Sequence, residues 1–235
     1  LADQHHVKLA VNQNARWAPN QSWMRCAIEQ NMLGTISSVD SHVAWDHTWV
    51  KGKPFEQIPH LILYDFAIHW FDMLQSFMPN QQPLEVMASV TSTQNQCIRP
   101  PLLAQVMVQY ESAQATLIFR ADTNAGKSAR TLVIGNRGTL CSDGSDVNEQ
   151  NVQFASQEGI ATPKLQGAWF PDGMDGTMSE LLCAIEDDRQ PANNASDNLK
   201  ALAICFAAIE SAESGTPQKV GTVRRLKESW LKYLA

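Results

Sequence analysis

With 235 residues, 44% of them hydrophobic and 18% charged, the chain carries enough apolar material for one sizeable core. Its 18 Lys and Arg against 24 Asp and Glu give a formal net charge of −6. That is the wrong sign for nucleic acid or an anionic membrane surface, so neither is expected as a partner. No apolar run approaches the roughly 18 residues that cross a bilayer, and Leu1 to His6 lack the basic start and apolar stretch of a signal peptide. The five cysteines, Cys26, Cys97, Cys141, Cys183 and Cys205, are odd in number and form no CxxC. They read as buried free thiols of a reducing, cytoplasmic compartment.

Starting without Met and in mid-pattern, the chain reads as beginning at a cut end. Ala2 to Val7 resembles a helix tail and Lys8 to Asn14 a short strand, broken between Arg16 and Pro19. From a cap at Asn20 or Ser22 a helix is expected through Met32, with Trp23, Cys26, Ala27 and Met32 inward and Gly34 stopping it. Thr35 to Trp45 is strand-like, Val50 to Pro59 is a loop, and Leu61 to Phe77 is a helix ending at Pro79. Alternation then predicts strands at Leu84–Thr91, Ala104–Tyr110, Ala115–Ala121, Thr131–Ile134 and Thr139–Cys141, and a further one across Asn148–Phe154. Gly135 to Gly138 is the turn of one hairpin, and the short connections imply antiparallel neighbours. Leu84, Val86, Val106, Val108, Leu117, Phe119, Leu132 and Ile134 are expected to face helices, leaving Met87, Met107, Ile118 and Val133 on the other side. Thr177-Met-Ser-Glu180 reads as a capping box opening a helix that Pro191 ends. Asn194 or Ser196 caps the next, with Leu199, Leu202, Ala203, Phe206 and Ile209 inward and Gly215 as its stop. The sum is an α+β fold, a predominantly antiparallel open β-sheet with helices packed on one face.

The segment from His60 to Met78 is apolar almost all round, the mark of a buried helix, except for Asp65, His69, Asp72 and Ser76. At about 100° per residue these four fall within roughly 60° of arc, one polar stripe on one side. His69 lies four residues from Asp65 and three from Asp72, within helical reach of either. Three readings fit: a self-satisfied buried Asp–His pair that fixes packing, a general acid/base whose carboxylates set the imidazole, or a metal site joined by His42, His47 and His60. Ligand spacing is irregular and HExxH is absent, which disfavours the metal. Neither GxSxG, GxGxxG nor GxxxxGK[ST] occurs, so no nucleophile elbow and no phosphate loop is present. The stretch Trp45-Asp-His-Thr-Trp49 is either core or a surface on which a sugar ring stacks.

Asp65-Phe-Ala-Ile-His69-Trp-Phe-Asp72 resembles the D-x-x-x-H-x-x-D helix of the Gfo/Idh/MocA oxidoreductases, the glucose–fructose oxidoreductase and inositol dehydrogenase superfamily. Asn12-Gln-Asn-Ala-Arg16-Trp-Ala-Pro19 is similar to the strand leaving that family's dinucleotide domain, and Gly34-Thr-Ile to its entry into the next domain. Gly135-Asn-Arg-Gly-Thr-Leu140 resembles its G-x-x-G-t-l hairpin, and Glu180 to Pro191 with Asn198-Leu-Lys-Ala-Leu-Ala its closing helices.

The resemblance implies the C-terminal, substrate-binding and oligomerisation domain of an NAD(P)-dependent enzyme that transfers hydride to or from a sugar, polyol or related hydroxyl compound. Asp65 and His69 would then be catalytic, orienting the substrate and moving its hydroxyl proton, while Asp72, Arg16 and Trp45 would contact the substrate and Asn14 the cofactor. Residues 1–14 would be a remnant of the dinucleotide domain, 15–220 the substrate domain and 221–235 a tail. The family's Gly-rich loop and the Lys of its Glu-Lys-Pro motif are absent from this sequence. NAD or NADP is therefore expected in the full-length protein, whereas this chain alone should bind none and be inactive. A homo-oligomer through the open sheet face is expected, with a carbohydrate-like small molecule as substrate. The alternative is a non-catalytic sugar-sensing or regulatory protein on the same scaffold.

Overall fold

In the computed structural model, which describes residues 1–225, the strands form one nine-stranded sheet. The chain first makes one short turn at Asp3–His5 and another at Asn14–Trp17, then helix α1 (Pro19–Glu29) and strand β1 (Ile36–Ala44). A loop leads to helix α2 (Ile68–Phe77), followed by β2 (Glu85–Thr91), β3 (Leu103–Gln109), β4 (Gln114–Arg120), β5 (Ser128–Gly135), β6 (Gly138–Gly144), β7 (Gln150–Ser156) and β8 (Gly159–Ala161). Helices α3 (Met174–Glu186) and α4 (Ala195–Ser214) and the two-residue strand β9 (Gln218–Lys219) close the order. The sheet runs β8-β7-β6-β5-β1-β4-β3-β2-β9. Every pair is antiparallel except β1 and β4, which are parallel. The sheet is predominantly antiparallel, as expected; the one parallel pair arises because β4 returns beside β1 only after α2 and two hairpins, a long-range pairing that connection lengths do not reveal.

One face of the sheet carries Val39 and Val43 of β1, Leu117 and Phe119 of β4, Val106 and Val108 of β3, and Val86 of β2, all buried under the helices. On β5 the expected orientation is reversed. Ala129, Thr131 and Val133 are the buried residues, while Leu132 and Ile134 lie toward the open face. Val133 pairs with Val39 of β1 and Leu140 of β6, both fully buried, and a one-residue change of frame moves every side chain to the other face. The run Thr-Leu-Val-Ile is apolar on both faces, so only its neighbours settle its frame.

The helices begin and pack differently from expectation in three places. Helix α1 starts at Pro19, whose fixed φ and missing N–H suit the first turn; Asn20 is inside it, donating to Ser142 Oγ at 2.9 Å. Its inward face is Met24, Ala27 and Ile28, with Cys26 and Met32 exposed. Thr177 lies within α3 and accepts from Asn193 Nδ2, and Glu180 is paired with Arg189, so the capping box does not form. In α4 the cap at Asn194 and the left-handed Gly215 stop occur as expected. Ile209 is buried as expected, but the rest of the buried line is Ala201, Ile204, Cys205 and Ala208, and Leu199 is 63% exposed. Small residues on that line bring α4 close to the sheet, and Ser211 Oγ accepts from the Ala88 backbone N–H of β2. Of the cysteines only Cys205 is buried; Cys26, Cys97 and Cys183 are exposed. The expected helix tail is one turn, Asp3–His5, and the expected strand at Lys8–Asn14 makes a single bridge, Ala10 with Asn194. Part of the expected tail, residues 226–235, lies outside the described residues.

Candidate substrate site

The polar stripe enters the structure through a change of helical pitch. Ile62–Phe66 is a π-helical turn, its Ala67 N–H bonding Ile62 O at 2.8 Å, and α2 continues from Ile68. Asp65 thus lies in the π turn and His69 in the α-helix that follows it. Among the described residues no hydrogen bond joins the two. The Asp–His coupling expected from their spacing is not what holds His69.

Asp72 and Arg16 hold one another. Arg16 Nε donates to Asp72 Oδ2 and Nη2 to Asp72 Oδ1, both at 2.6 Å, in a bidentate pair. Arg16 Nη1 also reaches Ala192 O at 2.7 Å and Nη2 reaches Asp197 at 3.1 Å. Asp72 is 0% and Arg16 6% exposed. Burial alone would lower the guanidinium's pKa, but Asp72 and Asp197 together raise it above its ordinary value, so it stays charged. Asp72 and Arg16, expected at the substrate, tie the 14–17 turn, α2 and the start of α4 together.

His69 is anchored by an amide. Its Nδ1 lies 3.0 Å from Gln13 Oε1, and Gln13 Nε2 donates to Asn198 Oδ1 at 2.7 Å. The Trp169 ring stands edge-on to the imidazole at 5.7 Å. Burial drives the imidazole's pKa down to about 4, so the ring is neutral at neutral pH. Asp65 has its pKa raised by burial. Asn14, expected near a cofactor, accepts from Trp169 Nε1 at 2.6 Å and directs its Nδ2 to Met174 Sδ at 3.0 Å. It is buried and holds the Trp169 indole N–H.

Trp45 is half-buried and stacks on Phe66 at 3.8 Å, one residue from Asp65. Its indole N–H donates to His47 Nδ1 at 3.0 Å, as does that of Trp49 at 3.3 Å. His47 is buried with its pKa lowered to about 4 by desolvation. An aromatic surface from Trp45 through Phe66 to Trp70 and Trp169 thus flanks the helix that carries Asp65 and His69. Sequence reasoning missed Gln13, Asn198 and Trp169. They stand 56, 185 and 155 positions from their partners, and no local spacing announces them. Among the described residues no group of three or more His, Cys, Asp or Glu is gathered to hold a metal. A cleft of about 840 Å³ opens at the other end of α2, beside Phe77, Met78 and Arg137, and touches none of these residues.

A family model described as the oxidoreductase family, C-terminal alpha/beta domain, of the Gfo/Idh/MocA type, matches residues 25–220. The chain belongs to that family. Solved structures share the fold at low identity. An oxidoreductase from Agrobacterium radiobacter, in complex with NAD+, L-tartaric acid and magnesium, superposes with a TM-score of 0.79 at 17% identity, over 94% of this chain and 68% of that one. An aldose–aldose oxidoreductase from Caulobacter crescentus, complexed with glycerol, gives 0.75 at 16% identity, over 92% and 65%. An oxidoreductase domain protein from Kribbella flavida gives 0.75 at 17% identity, over 93% and 67%. The chain therefore spans about two thirds of the length of each. No curated protein matches it in sequence. The family implies a nicotinamide dinucleotide, but the described residues do not form a cradle for its pyrophosphate. The one parallel strand pair, β1 and β4, is not joined by a single strand–loop–helix crossover, and no Gly-rich loop opens a helix.

Proposed function

We propose that this chain is the substrate-binding part of a longer NAD(P)-dependent oxidoreductase acting on a sugar, polyol or related hydroxyl compound. The observation that carries the reading is His69. It is uncharged, clamped at Nδ1 by an amide and without a partner at Nε2 among the described residues, and it stands beside an aromatic wall. A hydroxyl carbon that loses hydride also gives up its O–H proton, and a neutral imidazole within reach accepts it. Asp65, with its raised pKa, supplies a carboxyl one turn earlier to orient hydroxyls. The half-buried Trp45 offers an indole on which the apolar face of a sugar ring can stack. The families of the structural neighbours, which include an aldose–aldose oxidoreductase complexed with glycerol, agree with such a substrate. We assign the dinucleotide to chain outside the described residues.

The test is turnover by the full-length protein across sugars and polyols with NAD or NADP, followed by reduced-nicotinamide absorbance. His69→Ala should lower kcat roughly 10²–10⁴-fold, the contribution of a positioned acid/base, with dinucleotide affinity unchanged. Asp65→Asn should act in the same direction. Full kcat in a well-folded His69→Ala protein overturns the assignment.

We also propose that the open face of the sheet is covered by a second copy of the chain. It presents Met87, Met107, Ile118, Leu132 and Ile134 among Gln105, Arg120 and Arg130, a mixture too apolar for bare water.

A further inference from the structure

We propose that Gln13 is a positioning residue, and that with Asn198 behind it this amide decides which ring nitrogen of His69 carries the proton. The inference rests on the reading of His69 as proton acceptor and deepens it.

Gln13 is 3% exposed, and both halves of its amide are committed. The NH2 group donates to Asn198 Oδ1 at 2.7 Å, which leaves the carbonyl oxygen facing His69 Nδ1 at 3.0 Å. An amide oxygen only accepts, so this hydrogen bond exists only when Nδ1 bears the hydrogen. In a neutral ring Nε2 then holds the lone pair. A histidine side chain in water favours the opposite tautomer, which would turn a lone pair toward Gln13 and leave Nε2 unable to take a proton. The pair therefore holds the ring in its less favoured but productive form.

The surroundings make the amide decisive. Neither carboxylate of the polar stripe hydrogen-bonds the ring among the described residues: Asp72 is closed on Arg16, and the ring's Nδ1 faces Gln13 rather than Asp65. Trp169 meets the ring only edge-on. A carboxylate at Nδ1 would favour the imidazolium, whereas an amide in a buried site leaves the ring uncharged until substrate arrives. When a hydroxyl O–H bond breaks, the proton forms the Nε2–H bond, and the imidazolium keeps its Nδ1–H bond to Gln13 throughout. No atom of the clamp has to move. Turning Gln13 over alone would set its carbonyl against Asn198 Oδ1, so reversal needs both buried amides to turn together.

The experiment reads the tautomer directly, by NMR of isotope-labelled histidine ring nitrogens in the 235-residue chain at neutral pH, with the His69 signals identified by their loss in His69→Gln. The expected result is Nδ1–H in the native chain. In Gln13→Met, which keeps the volume and removes the acceptor, the majority form should change to Nε2–H. In Gln13→Glu, which keeps an acceptor, Nδ1–H should persist. Nε2–H in the native chain, the signature of both amides reversed, overturns the proposal, as does undiminished Nδ1–H in a folded Gln13→Met. Should Gln13→Met fail to fold, Asn198→Leu, which releases the clamp, is expected to give a tautomer mixture, and pure Nδ1–H there overturns it equally. No turnover enters this readout, so a failed tautomer result and a failed oxidoreductase assay are separate outcomes.

Discussion

Arg16 and Asp72 show how a residue's type and its role part company. Both were expected to meet substrate, yet their two 2.6 Å bonds are sealed in the interior. Removing one partner strands the other charge, so Asp72→Asn should lose about 3–5 kcal/mol in urea unfolding. The double variant Arg16→Met with Asp72→Leu should recover part of that loss, because no charge is left unpaired; equal losses in the single and double variants would contradict a buried ion pair. The histidines set a second expectation. His47 and His69 titrate near 4 in the folded chain against an ordinary 6.5, both through desolvation. As pH falls below 6.5 the unfolded chain binds protons that the folded chain refuses. Stability should therefore drop between about 6.5 and 4 and level off below, with roughly 3 kcal/mol as an upper bound for each ring. The raised carboxyl of Asp65 acts in the opposite sense and offsets part of the loss at the acid end. Urea midpoints across that range, compared with those of His69→Phe, check the slope; an unchanged slope in the variant would assign the loss elsewhere.

At the scale of elements, local chemistry decided some features and packing decided others. Asn194 caps α4 through the backbone N–H of Asp197 at 2.9 Å, a pattern legible in the sequence because the cap and its donor are three residues apart. Asn194→Ala should cost about 1 kcal/mol in thermal or urea unfolding, with the α-helical content of the folded protein retained. A loss below a few tenths of that value would show that the cap contributes little here. The inward faces of α1 and α4 were less legible. Helix α4 is rich in apolar residues all round, α1 mixes Trp23, Met24, Cys26, Ala27 and Ile28 with polar neighbours, and the buried residues are Met24, Ala27 and Ile28 in α1 and Ala201, Ile204 and Cys205 in α4. The larger Leu199 is left outside since small side chains let α4 approach β2. The π turn before α2 is also a tertiary matter. Periodicity places Asp65 and His69 on one stripe, but Asp65 lies in the π turn and, among the described residues, His69 bonds Gln13 instead.

For the whole molecule, two expected outcomes follow from the layout. Calorimetry of this chain with NAD(H) or NADP(H) should give negligible heat, because among the described residues no helix N-terminus is opened by a GxGxxG loop; micromolar binding would refute that. Light scattering at tens of micromolar should give at least a dimer mass, and Met107→Glu on the open face should reduce it toward the monomer without unfolding the chain. A monomeric native chain would count against the sheet face as an interface. The sequence by itself determined the class of the fold, most of the larger elements close to their observed bounds and the buried helix with its polar stripe, because helix caps, turns and two-residue alternation act within a few residues of one another. Tertiary structure alone decided the parallel pairing of β1 with β4, the frame of β5 and every partner of the site. Val133 turns inward because Val39 and Leu140 flank it, and His69 meets Gln13 and Asn198 rather than Asp65 because segments 56 and 185 residues apart are brought together on one side of α2. Periodicity reports how an element lies against a core; a hydrogen bond between distant segments depends on where the rest of the chain has already packed.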